Sequence, residues 1–203
     1  MAHTYPLALP TATGISEITW RFSESVAATE SIFSEKVQVS DWLGKRLEAN
    51  VKLPSMTEAQ VREWQGFFLA LNGLLGTFRI GPTLDKAQKG VATGTPLING
   101  ASQSGTTINT DGWTPDTTGI LKAGDWIQIG DWLHMVTKDA DSGATTGPAT
   151  LEIWPQLRAT PADNDPITLS NPKGLFRLLK IPNIHHNNNH VISPITFEII
   201  EAI

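Results

Sequence analysis

The stretch RLEANVKLPSMTEAQV, residues 46–61, decides the class of fold, because its hydrophobic period changes from two residues to between three and four. Over residues 46–53, apolar side chains occupy every second position, as in a strand with one buried face. The apolar positions are Leu47, Ala49, Val51 and Leu53, and the polar positions between them are Arg46, Glu48, Asn50 and Lys52. Pro54 ends this strand, because proline has no N–H to donate to a sheet.

The segment after Pro54 predicts an amphipathic helix. Thr57 is suited to the N-cap, and Gln60 three residues later completes a capping-box pattern. Gly73 suits the left-handed turn that ends a helix. Apolar residues at helical spacing form a stripe that we expect to pack against a sheet. The stripe consists of Val61, Trp64, Phe68 and Leu71.

Toward the N-terminus, alternation predicts further strands. Ile18, Trp20 and Phe22 share one face of a strand, and the pattern returns over residues 32–39. Residues 40–45 are interpreted as a hairpin turn that joins residues 32–39 to the strand over 46–53. Trp42 lies at the tip of this turn, and we expect its ring to fold back onto the sheet. The alternative is that it anchors a partner.

The composition changes at about residue 85. From there to 172 the chain is rich in Gly, Thr, Asp and Pro, with short apolar runs and no helical period. Predicted strands include a tight hairpin over residues 125–136 around Gly130-Asp131, and such strands favour a small β-barrel or sandwich. The earlier pattern returns over residues 175–179 and 191–200. We therefore interpret residues 85–172 as a β-barrel domain inserted into a β-sandwich domain of residues 1–84 and 173–203.

The net charge, the cysteine content and the lengths of the apolar runs argue against several classes of function. The formal net charge of −5 argues against a protein that grips nucleic acid, although an acidic chain can line a channel for DNA. The chain has no cysteine, which excludes disulfides and cysteine-ligated metals. The N-terminal residues lack the basic and apolar regions of a signal peptide, and no apolar run has the length that crosses a bilayer. We expect a protein made in a cytoplasm, without membrane insertion.

The sequence predicts no catalytic, cofactor-binding or metal-binding residue. His185, His186 and His190 cluster among three asparagines, and a polar turn explains them better than a metal pair. Asp163 and Asp165 lie in a segment that lacks the glycine and distal glutamate of a calcium loop, so a turn is predicted there too. No phosphate-binding glycine loop or nucleophile elbow occurs.

Seven tryptophans suggest a second class of function, because exposed aromatic faces stack on sugars. Trp20 and Trp64 are predicted core residues by their periodicity. Trp126 lies opposite Ile127 and Ile129 on strict alternation, which predicts an exposed ring. Trp113 and Trp42 fall in predicted loops and remain candidates for a binding surface.

Six segments, in a fixed order along nearly the whole chain, carry a resemblance to a known family. The segments are LPSM (53–56), LNGLLGTFRIGP (71–82), LKAGDWIQIG (121–130), ATLEIWPQLR (149–158), NPKGLFRL (171–178) and EIIEAI (198–203). The series contains no catalytic signature. It resembles the distal tail protein of long-tailed, siphovirus-type bacteriophages.

The resemblance implies a structural protein of the virion tail, assembled in the host cytoplasm. It implies a homo-oligomeric ring, usually of six copies, between the tail tube protein and the tip or baseplate hub proteins, with DNA passing through the central hole. Residues 1–84 and 173–203 would form the tail-tube-like ring, and residues 85–172 the peripheral barrel. The alternative within the same class is another minor tail protein. From other classes, the alternatives are a carbohydrate- or receptor-binding β module and, third, an enzyme.

Overall fold

A computed structural model describes residues 3–42, 44–84, 86–184, 191–192 and 194–203. The protein is mainly β with one amphipathic helix, which confirms the predicted fold class. Its helix is α1 (Glu58–Leu71). The strands in chain order are β1 (Glu17–Ser23), β2 (Val26–Glu30), β3 (Val37–Asp41), β4 (Arg46–Lys52), β5 (Met56–Thr57), β6 (Thr77–Ile80), β7 (Gly94–Ile98), β8 (Thr107–Trp113), β9 (Trp126–Ile129), β10 (Trp132–Val136), β11 (Ala149–Trp154), β12 (Ile167–Thr168), β13 (Gly174–Leu178), β14 (Val191–Ile192) and β15 (Thr196–Glu201).

The first sheet has five antiparallel strands in the order β1-β4-β15-β13-β6. Strand β4 pairs with β1 on one side and with β15 on the other. Its alternation is confirmed, because Leu47, Val51 and Leu53 are fully buried and Ala49 nearly so. The strands of this sheet come from residues 17–80 and 174–201, so both ends of the chain build it.

Helix α1 covers the core of the five-stranded sheet. It begins after the N-cap Thr57, whose backbone N–H donates to Gln60 Oε1 at 2.9 Å, in agreement with the predicted capping box. It ends one residue earlier than Gly73 suggested, because Asn72 itself takes the left-handed conformation. The buried residues of the helix are Val61, Trp64, Phe67, Phe68 and Leu71.

The second sheet has six strands in the order β12-β9-β10-β11-β8-β7 and is nearly closed, like a barrel. The two edge strands approach each other, since Leu97 forms a β-bridge with Pro166 and the Ile98 N–H donates to the carbonyl of Asp165 at 2.9 Å. Its interior holds a separate apolar core that includes Ile108, Ile127 and Leu151. All of its strands lie within residues 94–168.

The two sheets pack against each other, which makes the prediction of an exposed Trp126 wrong. Trp126 is 4% exposed and belongs to the core of the first sheet. Its ring centroid lies 5.2 Å from that of Trp20 and 6.3 Å from that of Phe22. Alternation failed as a guide because β9 is covered on both faces. Ile127 and Ile129 point into the barrel, and the opposite face meets β1.

The two connections between the sheets run side by side. The chain leaves the first sheet after β6 and returns just before β13. A Cβ at Gly81 would overlap the carbonyl oxygen of Pro172, so the departing and returning segments are in close contact.

The predicted strand over residues 32–39 is correct only for residues 37–39, which belong to β3, and the predicted hairpin turn over 40–45 is wrong, because β3 does not pair with β4. The turn lies at residues 31–36, where the Ser31 N–H donates to Lys36 O at 3.0 Å and Glu35 has a φ of 53°. It joins β2 to β3, and within the described residues these two strands pair only with each other. Strand β4 was not available to residues 32–39, because β1 and β15 occupy both of its edges.

Candidate interaction surface

A hairpin projects from the body of the protein between β1 and β4. We call residues 26–42 the arm; it consists of β2, the turn, β3 and Trp42. Every residue of the arm is exposed, and none belongs to either apolar core. The tip carries Ile32 and Phe33, which are 93% and 100% exposed. An isolated two-stranded hairpin is marginally stable in water, and neither core of this chain supports the arm.

The two faces of the arm differ in polarity. Residues directly opposite each other in an antiparallel pair share a face, and Ala28 lies opposite Val39 while Glu30 lies opposite Val37. One face therefore carries Val26, Ala28, Val37 and Val39 together with the carboxylates of Glu30 and Asp41. The other carries Ala27, Thr29, Gln38 and Ser40. The first face exposes more apolar surface than the second, and neither face covers an apolar core of this chain.

Trp42 ends the arm and is 61% exposed. The expectation that its ring folds back onto the sheet is therefore wrong. Its backbone N–H donates to Ser25 O at 2.8 Å, which closes the base of the hairpin and leaves the indole outside. The exposed indole adds a large apolar side chain to the base of the arm.

A buried ion pair holds the segment where the arm rejoins the sheet. Arg158 donates to Glu201 in a bidentate arrangement, Nε to Oε1 at 3.0 Å and Nη2 to Oε2 at 2.8 Å. The two side chains are 5% and 2% exposed. Arg158 also donates to the carbonyl of Lys45, and Glu201 accepts from the Leu47 N–H at 3.0 Å. The pair therefore connects the loop after β11, the last strand and the base of the arm.

His134 is the one buried titratable group with a large pKa change, and it lies inside the barrel. Its Nδ1 donates to the carbonyl of Pro155 at 2.8 Å, so Nε2 carries no proton while the ring is neutral. Burial lowers the pKa of His134 to about 4. Within the described part of the chain, His134 Nε2 and Trp132 Nε1 have no hydrogen-bond partner. Among the described residues, no nucleophile or carboxylate is hydrogen-bonded to His134.

The buried neutral state of His134 predicts a loss of stability in acid. The unfolded chain binds a proton near pH 6.5 and the folded chain only near pH 4, so the free energy of unfolding falls as the pH drops through this window. The difference corresponds to about 3 kcal/mol at 1.36 kcal/mol per pKa unit. Urea unfolding of the wild type and His134→Leu between pH 7.5 and 4 measures how the free energy of unfolding depends on pH in each protein. The prediction is contradicted if the free energy falls equally in the two proteins as the pH drops.

The two aspartates that the sequence analysis compared with a calcium loop lie in turns, as predicted. Asp163 accepts from the Gly100 N–H and Asp165 from the Ala162 N–H, each at 2.7 Å, so both carboxylates order turns. His185, His186 and His190 lie outside the described residues. In the part of the chain that the structure describes, no group of three or more His, Cys, Asp or Glu side chains is arranged to hold a metal ion.

The tryptophans do not form an exposed platform. Trp64, Trp113 and Trp126 are buried, and Trp113 donates from Nε1 to Thr110 Oγ1 at 2.8 Å. The half-buried rings are those of Trp20, Trp132 and Trp154. Trp42 alone is exposed among the seven. The seven tryptophans therefore provide no surface with several exposed, coplanar indoles on which a sugar could stack.

The geometry defines a class of protein: a mainly β chain with two packed sheets, one covering helix and one protruding apolar hairpin. No protein-family model matches the chain. No curated protein matches it either. Within the described residues, no helix is long and apolar enough to cross a membrane.

Proposed function

We propose that this protein is a structural component of a bacteriophage tail. In this proposal, six copies form a ring that joins the tail tube to the tip or baseplate hub and leaves a channel for DNA. Two lines of argument support it: the resemblance in the order of sequence segments, and the arm. The arm is the single observation that carries the proposal, because it exposes large apolar side chains that association with another protein would bury.

The exposed apolar residues of the arm support assembly on energetic grounds. Burying a side chain of the size of Phe or Ile is worth about 1.5–3 kcal/mol relative to leaving it in water. The arm exposes Ile32 and Phe33 at its tip, Val37 and Val39 on one face and Trp42 at its base. Exposed large apolar side chains grouped in one segment are typical of protein–protein contacts. A ring repeats that contact at every subunit, so a modest interface becomes a stable assembly.

The five-stranded sheet offers a second element for ring formation. Its edge strand β1 pairs with β4 only, within the described residues, so the outer edge of β1 carries unpaired backbone groups. Open edges of this type are usually covered or paired. We propose that residues 1–84 and 173–203 form the ring through this sheet and the arm. Residues 85–172 form the inserted peripheral domain.

The carbohydrate- or receptor-binding alternative has less support. It requires exposed aromatic rings on the barrel, and those of Trp126, Trp132 and Trp154 are buried or half-buried. Trp42 is exposed, but it belongs to the arm. A receptor that binds the arm itself is the remaining form of this alternative, and it predicts a monomer that binds a different protein.

Substitution of the arm tip tests the ring proposal. The wild type is expected to associate with increasing concentration toward about 132 kDa, six times the chain mass of 22.0 kDa. Phe33→Asp places a charge where an apolar contact forms and is expected to weaken association on the order of 100-fold. Light scattering across a concentration series measures both proteins.

Leu84→Asp is the matched control, because Leu84 is 94% exposed but lies outside the arm. It is expected to associate like the wild type. A wild type that stays monomeric at every concentration would contradict the ring proposal. The next experiment would then be a screen for glycan and receptor binding.

A further inference from the structure

We infer that the arm tip of one copy docks into an apolar groove beside helix α1 of the next copy. This inference rests on the proposed ring and assigns the surface that receives the arm. The groove lies between α1 and the chain that follows β13. Its apolar lining is formed by Phe68, Leu69, Ile181, Pro182 and Ile184, and two amide side chains, Gln65 and Asn183, complete it.

The groove matches the arm tip in size and polarity. Its volume is about 420 Å³, which lies in the range of pockets that receive ligand side groups. Leu69 and Ile181 are 68% and 41% exposed at its rim, while Phe68 forms a buried floor. A branched and an aromatic side chain, Ile32 and Phe33, are the groups that such a groove removes from water most favourably.

The exposed apolar surface continues past the end of the helix. Leu74 and Leu75 are 53% and 63% exposed. Arg177 holds their turn against β13, since its Nη1 donates to Leu74 O at 2.8 Å and to Leu75 O at 2.9 Å. The end of the helix is thus a rigid apolar surface, and it leaves room for more of the arm than its two tip residues.

The same chain does not fill its own groove. Ile32 and Phe33 are almost fully exposed, so the tip lies away from α1 of its own copy. A protrusion and a groove at different places on one chain make a heterologous contact, which generates a closed ring or an open filament. This is the type of contact that a ring of identical subunits requires.

The charges near the two surfaces are opposite in sign. The arm carries three carboxylates, Glu30, Glu35 and Asp41, against one lysine, Lys36. The residue before the groove residue Ile181 is an exposed cation, Lys180. In the proposed contact, Lys180 faces the carboxylates that flank the tip, Glu30 and Glu35. Opposite charges at a rim favour one register and one partner.

Single engineered cysteines test the contact without background, because the chain has no cysteine of its own. Phe33→Cys and Ile181→Cys are prepared as separate proteins, mixed and oxidised. The expected product is a covalent dimer of the two variants, formed at least 10-fold faster than with either variant alone. Such a bond can form only between two copies and requires the Cα atoms to approach within roughly 7 Å.

Ala8→Cys is the control for the second thiol, because Ala8 is exposed and lines the groove on the other flank of the same helix. Equal rates with Ala8→Cys and Ile181→Cys, or faster bonding at Ala8, overturn the inference. Assembly of the wild type in light scattering without any bond between positions 33 and 181 also overturns it, and leaves the proposed ring intact. Absence of both assembly and bonding overturns both.

Charge reversal gives a second test that does not depend on thiol chemistry. Lys180→Glu is expected to weaken association several-fold, because it places a carboxylate beside those of the arm. Adding Glu35→Lys to the same chain is expected to restore most of the association. If the double variant associates more weakly than Lys180→Glu alone, the arm does not dock beside Lys180, and the inference is wrong.

Discussion

Replacing Arg158 with methionine is expected to lower the free energy of unfolding by about 3–5 kcal/mol. The substitution leaves the carboxylate of Glu201 buried at 2% exposure without its bidentate partner. It also removes the donor to the carbonyl of Lys45. The loss is large because a buried charge without a partner retains its full desolvation cost. Urea unfolding at pH 7 measures the change.

Two further variants separate this effect from the loss of an ordinary ion pair. Arg62→Met removes a pair with Glu58 whose side chains are 73% and 56% exposed, and its expected cost is below about 1 kcal/mol. Adding Glu201→Gln to Arg158→Met removes the buried charge and keeps an acceptor for the Leu47 N–H, so stability should largely return. Equal losses in Arg158→Met and Arg62→Met would show that the buried pair has no special role.

Replacing Trp126 with alanine is expected to cost about 3–5 kcal/mol. The ring lies between the two sheets, 5.2 Å from the ring of Trp20, and its removal leaves a cavity that neither sheet can close. The same substitution at Trp42, which is 61% exposed, is expected to change stability by no more than about 0.5 kcal/mol. Denaturant unfolding of both variants provides the comparison.

The pair Trp126→Ala and Trp42→Ala also distinguishes stability from assembly. Trp42→Ala should weaken association, because Trp42 belongs to the arm, while the folded monomer keeps its stability. Trp126→Ala should destabilise the monomer without touching the arm. If Trp42→Ala instead lowered stability as much as Trp126→Ala, the indole of Trp42 would be part of the core.

Local periodicity was enough to predict the elements that have one covered face. Strand β4 alternates because α1 covers one side, and α1 shows a stripe because only one of its faces is buried. Trp126 escaped prediction because β9 is covered on both faces, and coverage by a distant segment leaves no mark on local alternation. The hydrophobic pattern of a segment shows which of its residues are apolar. It does not show which distant segment covers them.

The arm escaped prediction for the opposite reason. Strand β2, Val-Ala-Ala-Thr-Glu over 26–30, has no core to face and shows little alternation. Strand β3 does alternate, but the predicted strand was extended back over the turn and so included the apolar pair Ile32-Phe33. A signal was present in that pair, since two large apolar residues between Ser31 and Ser34 lie in turn-forming sequence. Large apolar residues in such a turn are typical of a contact made outside the chain.

The contact between Gly81 and Pro172 has a consequence for how this architecture could diversify. Because the two connections leave the first sheet side by side, a segment of any length can occupy the space between them without stretching that sheet. Exchange is nevertheless restricted by two requirements. A replacement must offer an apolar face to Trp20 and Phe22, and a cation to the carboxylate of Glu201. Recombination at this point would thus preserve the face of the inserted segment that packs on the first sheet. The outer surface of the inserted segment would be free to vary.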